Sequence, residues 1–478
     1  MFDMKKNSAN QSKIVIKKIP ADRFTPVGIL EGLDAKVLLE SAYHETGKGK
    51  YSILLIDEAF TIYKENGQYY LKNPDTKRYS LSTSKKFLDI LEEFRRRAPF
   101  SDEIVHIPLP LGGIGYLGYE FFEEIEDITF TKTNDRDLYD DAFIFGRNFM
   151  IFDHLHDEAY LVSVQYEGEI EDIDLSKEIK SLVKRIESIE ISASNDEKMK
   201  AKIISPDDRN DYIEKVSVLK NEIYKGNLLQ CVLSRTIEVE SEISPITAYR
   251  NLRRKNPSPY MFYFNFGSFI LFGASPEVMV KVKDGDVEVR PIAGTRKRGK
   301  TIALDIQLEE ELKKDPKENA EHLMLLDLGR NDVGRVSKAG SVTVPEIMVV
   351  ERYSKVMHLV SAVIGKLDKQ YTSKDAIYAT FPAGTVSGAP KIQAIKTLEN
   401  LEAKRRGPYA GLAGYFEYNG DFDSCIVIRS AVYKNGVFYL QAGAGIVYDS
   451  VPESEYEETQ NKMLALLDSL NIDLTGGI

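Results

Sequence analysis

The chain has 478 residues, 43% of them hydrophobic and 29% charged, with 63 basic against 74 acidic side chains and a net charge of −11. That length suits on the order of two or three domains or one large elaborated one, and the acidic balance argues against nucleic acid or an anionic membrane as the main partner. No apolar run approaches the roughly 20 residues of a membrane span, residues 1–18 lack a signal-peptide core, and the two cysteines, Cys231 and Cys425, each sit in a strand-like run; a cytoplasmic protein without disulfides is expected.

Residues 1–20 are polar. Val37-Leu38-Leu39-Glu40-Ser41-Ala42 reads as a strand, a glycine loop follows at 47–52, and Ile53-Leu54-Leu55-Ile56 reads as the next strand. Asn66-Gly67 between two β-type runs is a strong hairpin signal. The spacing predicts an amphipathic helix over 87–97, a glycine turn at 112–116 leading into another helix, and two antiparallel strands within 142–165. From 191 to 208 the composition shifts to Ser, Asn, Asp, Glu and Lys, which places a linker at 191–206 between a region 1–190 and a region 207–470. The second region opens with a helix over 208–225 closed by Gly226, then a strand over 228–240, a helix ending near Lys255 and an aromatic strand over 260–266. Asp284-Gly285, Asn419-Gly420 and Asn435-Gly436 each join β-type runs, so the sheets should be antiparallel and the class α+β.

Chemistry concentrates in a few stretches. At 441–462, Ala442-Gly443-Ala444-Gly445 reads as a loop whose bare backbone could approach an anion. Ser454 then starts a helix, with Glu457 at capping-box spacing. Glu455, Glu458 and Lys462 share one face of it, and Met463, Leu466, Leu467 and Leu470 supply the buried side. Glu318 and Glu321 repeat the i, i+3 carboxylate pair on a helix within 313–335. Two such pairs face to face could close a Mg²⁺ site; equally, both could simply face water. Pro291-Ile292-Ala293-Gly294-Thr295-Arg296 reads as a strand ending in a turn. The stretch 381–391 runs into a helix with Pro390 in its first turn, closed by Gly407. Arg429, within a strand over 425–433, either pairs with a structural carboxylate or holds a bound one. His358 is a core group or a catalyst. Phosphate-binding loops, a nucleophile elbow, zinc-spaced Cys/His clusters and a dinucleotide fingerprint are absent, and so is a glutamine-hydrolysing unit.

Taken in order, 291–296, 318–322 with 327–332, 381–391, 441–446 and 455–462 form a long and specific set, on which residues 206–470 resemble the chorismate-utilising enzymes. The N-terminal region resembles the large subunits of anthranilate synthases. The resemblance implies an α+β fold, an antiparallel β-sandwich of two large sheets flanked by helices. It implies Mg²⁺ on Glu321 and Glu458, with Glu318 and Glu455 beside them. The metal would bind the ring carboxylate of chorismate near Lys462 and the backbone of Gly443, Ala444 and Gly445. Tyr409 and Arg429 would hold the enolpyruvyl carboxylate, and Gly294, Thr295 and Thr385 would line the ring. Glu277, in Ala274-Ser275-Pro276-Glu277, matches the acid that protonates the departing C4 hydroxyl, and His358 the group implicated in losing pyruvate.

Two positions discriminate among members. Water-adding relatives carry a lysine base where this chain has Gln230, and many C4-aminating relatives carry a lysine where it has Ala293. Both point to ammonia attack at C2 and to anthranilate, with 4-amino-4-deoxychorismate as the alternative product. The ammonia would come from a separate glutamine amidotransferase subunit. Leu39, Glu40 and Ser41 with Pro259, Tyr260 and Met261 resemble the two halves of a tryptophan feedback site; two packed core strands would look the same. The absence of Trp fits an enzyme made when tryptophan is scarce.

Overall fold

Period-two alternation sets the architecture. In the strand Tyr51–Glu65, Ile53 and Leu55 join one buried cluster while Leu54 and Ile56 join another. In Tyr260–Asn265, Phe262 and Phe264 go to the first cluster, Met261 and Tyr263 to the second. The first cluster collects side chains from two sheets, and the second lies under the helices Leu175–Glu187, Pro245–Lys255 and Pro452–Ser469. The computed structural model describes residues 11–42, 49–75, 77–81, 84–102, 106–190, 200–206, 208–353 and 356–472.

The sheets diverge from one long pair. Tyr51–Glu65 runs antiparallel to Asp141–Asp153, with register shifts between Leu55 and Phe60. On one side of those bulges it pairs with Val37–Glu40, on the other with Gln68–Lys72. Asp141–Asp153 divides likewise between Glu158–Gln165 and Ile114–Leu117. Bulges bend and twist a strand, which is how one pair can serve two layers. One sheet continues from Val37–Glu40 through Tyr260–Asn265, Ile270–Ser275, Ser430–Lys434 and Val437–Ile446 to Gln230–Ser241. The other continues from Ile114–Leu117 through Leu412–Phe416, Phe422–Ile426, Val278–Lys283 and Asp286–Val289 to Val356–Lys366, which also pairs with Ile292–Lys297 and Thr343–Arg352. The described ladders are all antiparallel, and the two-sheet α+β expectation holds.

Asn66-Gly67, Asp284-Gly285 and Asn435-Gly436 each put both turn residues at positive φ, the geometry tight hairpins need. Other readings change. Residues 191–199 of the expected linker and 47–48 of the glycine loop lie outside the described residues. Ala201–Ile203, also assigned to the linker, pairs with Val239, Glu240 and Ser241 and is therefore strand. The helix expected after the 112–116 turn is a 3₁₀ turn, Tyr119–Glu124. No helix among the described residues is long and apolar enough to cross a membrane.

Candidate active site

The site begins where Gln230–Ser241 runs beside Val437–Ile446, pairing Val232 with Gly445 and Ser234 with Gly443. The glycines expected in a loop are therefore in a strand, with their backbone engaged in the ladder. Their lack of a side chain serves a different purpose. A Cβ at Gly443 would lie 3.0 Å from the Tyr409 hydroxyl, and one at Gly445 would lie 2.8 Å from the Gln230 amide nitrogen and 3.9 Å from a Glu321 oxygen. Ala444, on the opposite face, packs into the apolar cluster with Cys231 and Leu233.

Two helices bring the carboxylates. Pro316–Gly334 carries Glu318 and Glu321 on one face, and Gln230 donates its amide to Glu321 over 2.9 Å. Burial raises the Glu321 carboxyl; Gln230 opposes this, while Glu318 and Glu458 push it further up. Arg296 donates to Glu318 over 2.9 Å and bonds Asp315 at 2.7 Å. The second helix starts at Pro452, two residues before Ser454, with Val451 rather than a serine at its cap. On it Lys462 pairs with Glu458 at 2.7 Å and donates to the Gly443 carbonyl at 2.8 Å. Glu455 is buried, and burial raises its carboxyl against a bond from Ser450. Among the described residues no three His, Cys, Asp or Glu side chains are gathered closely enough to hold a metal ion.

Glu277 links Ile270–Ser275 to Val278–Lys283, its carbonyl accepting from Ile426 N–H over 3.0 Å. Burial pushes its carboxyl up to about 7, opposed first by the Thr385 hydroxyl and then by the Lys462 and Arg429 charges. That hydroxyl, in the turn Gly384–Val386, is buried and has no partner in full hydrogen-bond geometry among the described residues. Arg429 is not inside a strand. It sits in the break between Phe422–Ile426 and Ser430–Lys434 at φ 50°, and its charge acts on Tyr409, Glu458 and Glu277. Residues 291–296 are mostly strand: Ile292–Lys297 pairs with Val356–Lys366 and bulges at Gly294, φ 67°. Ala293 is buried there. The bulge lets His358 Nδ1 reach both the Gly294 carbonyl at 3.1 Å and the Thr295 hydroxyl at 3.0 Å. A carbonyl only accepts, so Nδ1 carries the proton and Nε2 keeps its lone pair. Burial pushes the imidazole down to about 4, leaving it neutral at physiological pH. The helix after Pro390 is Lys391–Leu401; Gly407 lies well past its end and does not cap it.

Glu277, Thr385, His358, Thr295, Gly294, Arg429, Tyr409, Gly443, Lys462, Gln230 and Glu321 thus come together from both sheets, two helices and four connections. Four of the six residues of the second candidate site lie on adjacent strands, with Met261 opposite Glu40 and Phe262 opposite Leu39, and Ser41 and Pro259 flank the strand ends. They divide between faces: Leu39 and Tyr260 pack on the inter-sheet core, Met261 on the helix side. Arg253 takes both Glu40 oxygens at 2.7 and 2.8 Å, and Tyr249 bonds one of them. The Ser41 hydroxyl is buried without a partner among the described residues, Pro259 is half-buried, and the Tyr260 hydroxyl donates to Asp423 over 2.8 Å. Arg296 stands at the end of the 291–296 motif but sequence reasoning assigns it no role, and Arg406 and Glu402 carry no signal beyond charge near Tyr409.

Residues 40–468 match the family model described as chorismate binding enzyme. The chain is 44% identical over 468 residues to anthranilate synthase component 1 of Spirochaeta aurantia, covering 96% of each chain. To the protein of the same name from Aquifex aeolicus it is 39% identical, over 98% of this chain and 97% of that one. The crystal structure of anthranilate synthase component I from Streptococcus pneumoniae superposes with a TM-score of 0.75 at 36% identity, over 87% of this chain and 92% of that one. The menaquinone-specific isochorismate synthase of Escherichia coli shares the fold, with a TM-score of 0.73 at 20% identity over 98% and 96% of the two chains. With nearly the whole chain matched, the protein belongs to the chorismate-binding enzyme family, alongside the anthranilate synthase component 1 proteins, and is an enzyme that acts on chorismate.

Proposed function

We propose that the protein converts chorismate and ammonia to anthranilate, pyruvate and water in the cytoplasm, as the synthase component of an anthranilate synthase. A partner glutamine amidotransferase supplies the ammonia. The observation that carries this reading is Gln230: a neutral amide bonded to Glu321 over 2.9 Å, where a base for water would have to stand. An amide cannot deprotonate water, whereas ammonia attacks with its own lone pair.

The residues then divide the work. Tyr409 and Arg429 hold the enolpyruvyl carboxylate, and Gly294, Thr295 and Thr385 line the ring. Glu277, protonated up to about pH 7, delivers its proton to the C4 hydroxyl, which leaves as water while nitrogen bonds to C2. The nitrogen, cationic once bonded to C2, releases a proton that replaces the one given up by Glu277, so the step balances. His358 Nε2, with Nδ1 held by Gly294, accepts the C2 proton as the enolpyruvyl C–O bond breaks, and a proton delivered to the methylene carbon of the departing enolate makes it pyruvate.

Glu321 and Glu458, with Glu318 and Glu455, are the residues that would hold Mg²⁺. The donor set, four carboxylates, fits a hard cation, and the negative charge shows in Glu321, raised by Glu318 and Glu458, and in Glu455, raised by Glu458. Metal binding there would replace the Arg296 and Lys462 pairings. Bound Mg²⁺ supplies positive charge for the ring carboxylate of chorismate. Turnover and Mg²⁺ dependence that survive Glu321→Gln would contradict this assignment. Leu39, Glu40, Ser41, Pro259, Tyr260 and Met261 form the tryptophan feedback site, a reading supported by the pairing of Leu39 and Glu40 with the strand that carries Tyr260 and Met261, and by a Ser41 hydroxyl with no partner among the described residues.

A further inference from the structure

Arg406 is 2% exposed, among the most buried large side chains of the molecule. A guanidinium out of water needs every N–H satisfied, and its partners come from three separate places. Glu402 takes two of its bonds, at 2.8 and 2.7 Å. The Val386 carbonyl takes one at 2.7 Å, and the Val232 carbonyl another at 2.7 Å. Val386 is the residue after Thr385, and Val232 lies two residues beyond Gln230 on its strand. The guanidinium stacks 4.5 Å from the Tyr119 ring centroid and lies 5.8 Å from that of Tyr409. Glu402 continues the network: it also accepts from the backbone N–H and hydroxyl of Ser234, the residue paired with Gly443.

We infer that Arg406 is a positioning residue for the reaction: its rigid fork fixes the Thr385 turn, the Gln230 strand and the Tyr409 ring relative to one another. It touches no substrate itself. A guanidinium suits this task because its planar donors can hold carbonyls in fixed, different directions, while a lysine ammonium cannot reproduce the fork. The inference rests on the proposed roles of Glu277, Thr385, Gln230 and Tyr409.

The test is Arg406→Lys in the full chain, assayed at fixed free ammonia across pH, with melting temperature measured in parallel. The groups facing Glu277 are Lys462, Arg429, Tyr353 and, across a cavity of about 40 Å³, Arg290 and Asp332, and the substitution changes none of them. Thr385 holds the Glu277 carboxyl down, so a loosened Thr385 turn lets it rise. The expected result is a folded variant whose kcat drops about tenfold or more and whose alkaline limb moves up by about half a pH unit. Tyr119→Leu removes the ring under the guanidinium but leaves its hydrogen bonds; it should move the limb the same way by less, and it decides the matter should Arg406→Lys not fold. A limb unmoved in the folded variants overturns the inference. A wild-type enzyme with no limb near 7 overturns the Glu277 assignment first, and this inference with it.

Discussion

Gln230 donates its side-chain amide to Glu321 over 2.9 Å, while its side-chain oxygen is buried without a partner among the described residues. A buried acceptor left open normally costs about 1–3 kcal/mol and persists where something else completes it. Ammonia, a donor, suits that oxygen. Replacing Gln230 with lysine puts an ammonium against Glu321 and removes the open acceptor. Ammonia-dependent turnover should fall tenfold or more in Gln230→Lys, read by chromatography of the nitrogen-containing product, and unchanged turnover would contradict the role.

Glu277 offers two linked pH measurements. With its carboxyl near 7, activity at fixed free ammonia should decline above pH 7 as the acid form is lost, and Glu277→Gln should lower kcat by about 10²–10⁴. Stability follows the same shift. A carboxyl raised from 4.5 to about 7 stabilises the fold fully below 4.5, and that contribution is lost as pH rises through 7. At 1.36 kcal/mol per unit the difference is on the order of 3 kcal/mol. Glu277→Gln should therefore raise the melting temperature relative to wild type more at pH 8 than at pH 5, and the reverse order would contradict the burial argument.

A methyl group at Gly443 would press on the Tyr409 hydroxyl at 3.0 Å and on the Leu233 carbonyl at 2.9 Å. Overpacking of this kind costs about 1–3 kcal/mol. Gly443→Ala should raise KM for chorismate several-fold, with a measurable drop in denaturation midpoint.

The carboxylate pairs were legible because i, i+3 spacing on a helix is a local property, and Glu318 and Glu321 do face the site. The hairpins were legible for the same reason, since Asn-Gly and Asp-Gly dictate their own turn. The glycines at 443 and 445 misled: on sequence they look like a loop, and only the pairing with Val232 and Ser234 makes them strand. Gly294 misled in the same way, because a bulge is set by the partner strand carrying His358. Arg406 could not be found at all. Its burial is decided by Val232 and Val386, which lie 174 and 20 residues away in the chain.

The second site makes a separate prediction. Arg253 occupies Glu40, and the Ser41 hydroxyl is left open among the described residues. Ser41→Ala should weaken inhibition by tryptophan about tenfold, near the 1.4 kcal/mol of one hydrogen bond, while leaving kcat unchanged. Inhibition curves with and without the substitution decide it.

The most direct measurement of the central claim is product analysis on the purified chain alone, given chorismate, Mg²⁺ and an ammonium salt at alkaline pH. The account predicts fluorescent anthranilate and pyruvate in equal amounts, with no glutamine and no second subunit required. A 4-amino product without pyruvate, or no nitrogen-containing product at all, would contradict it.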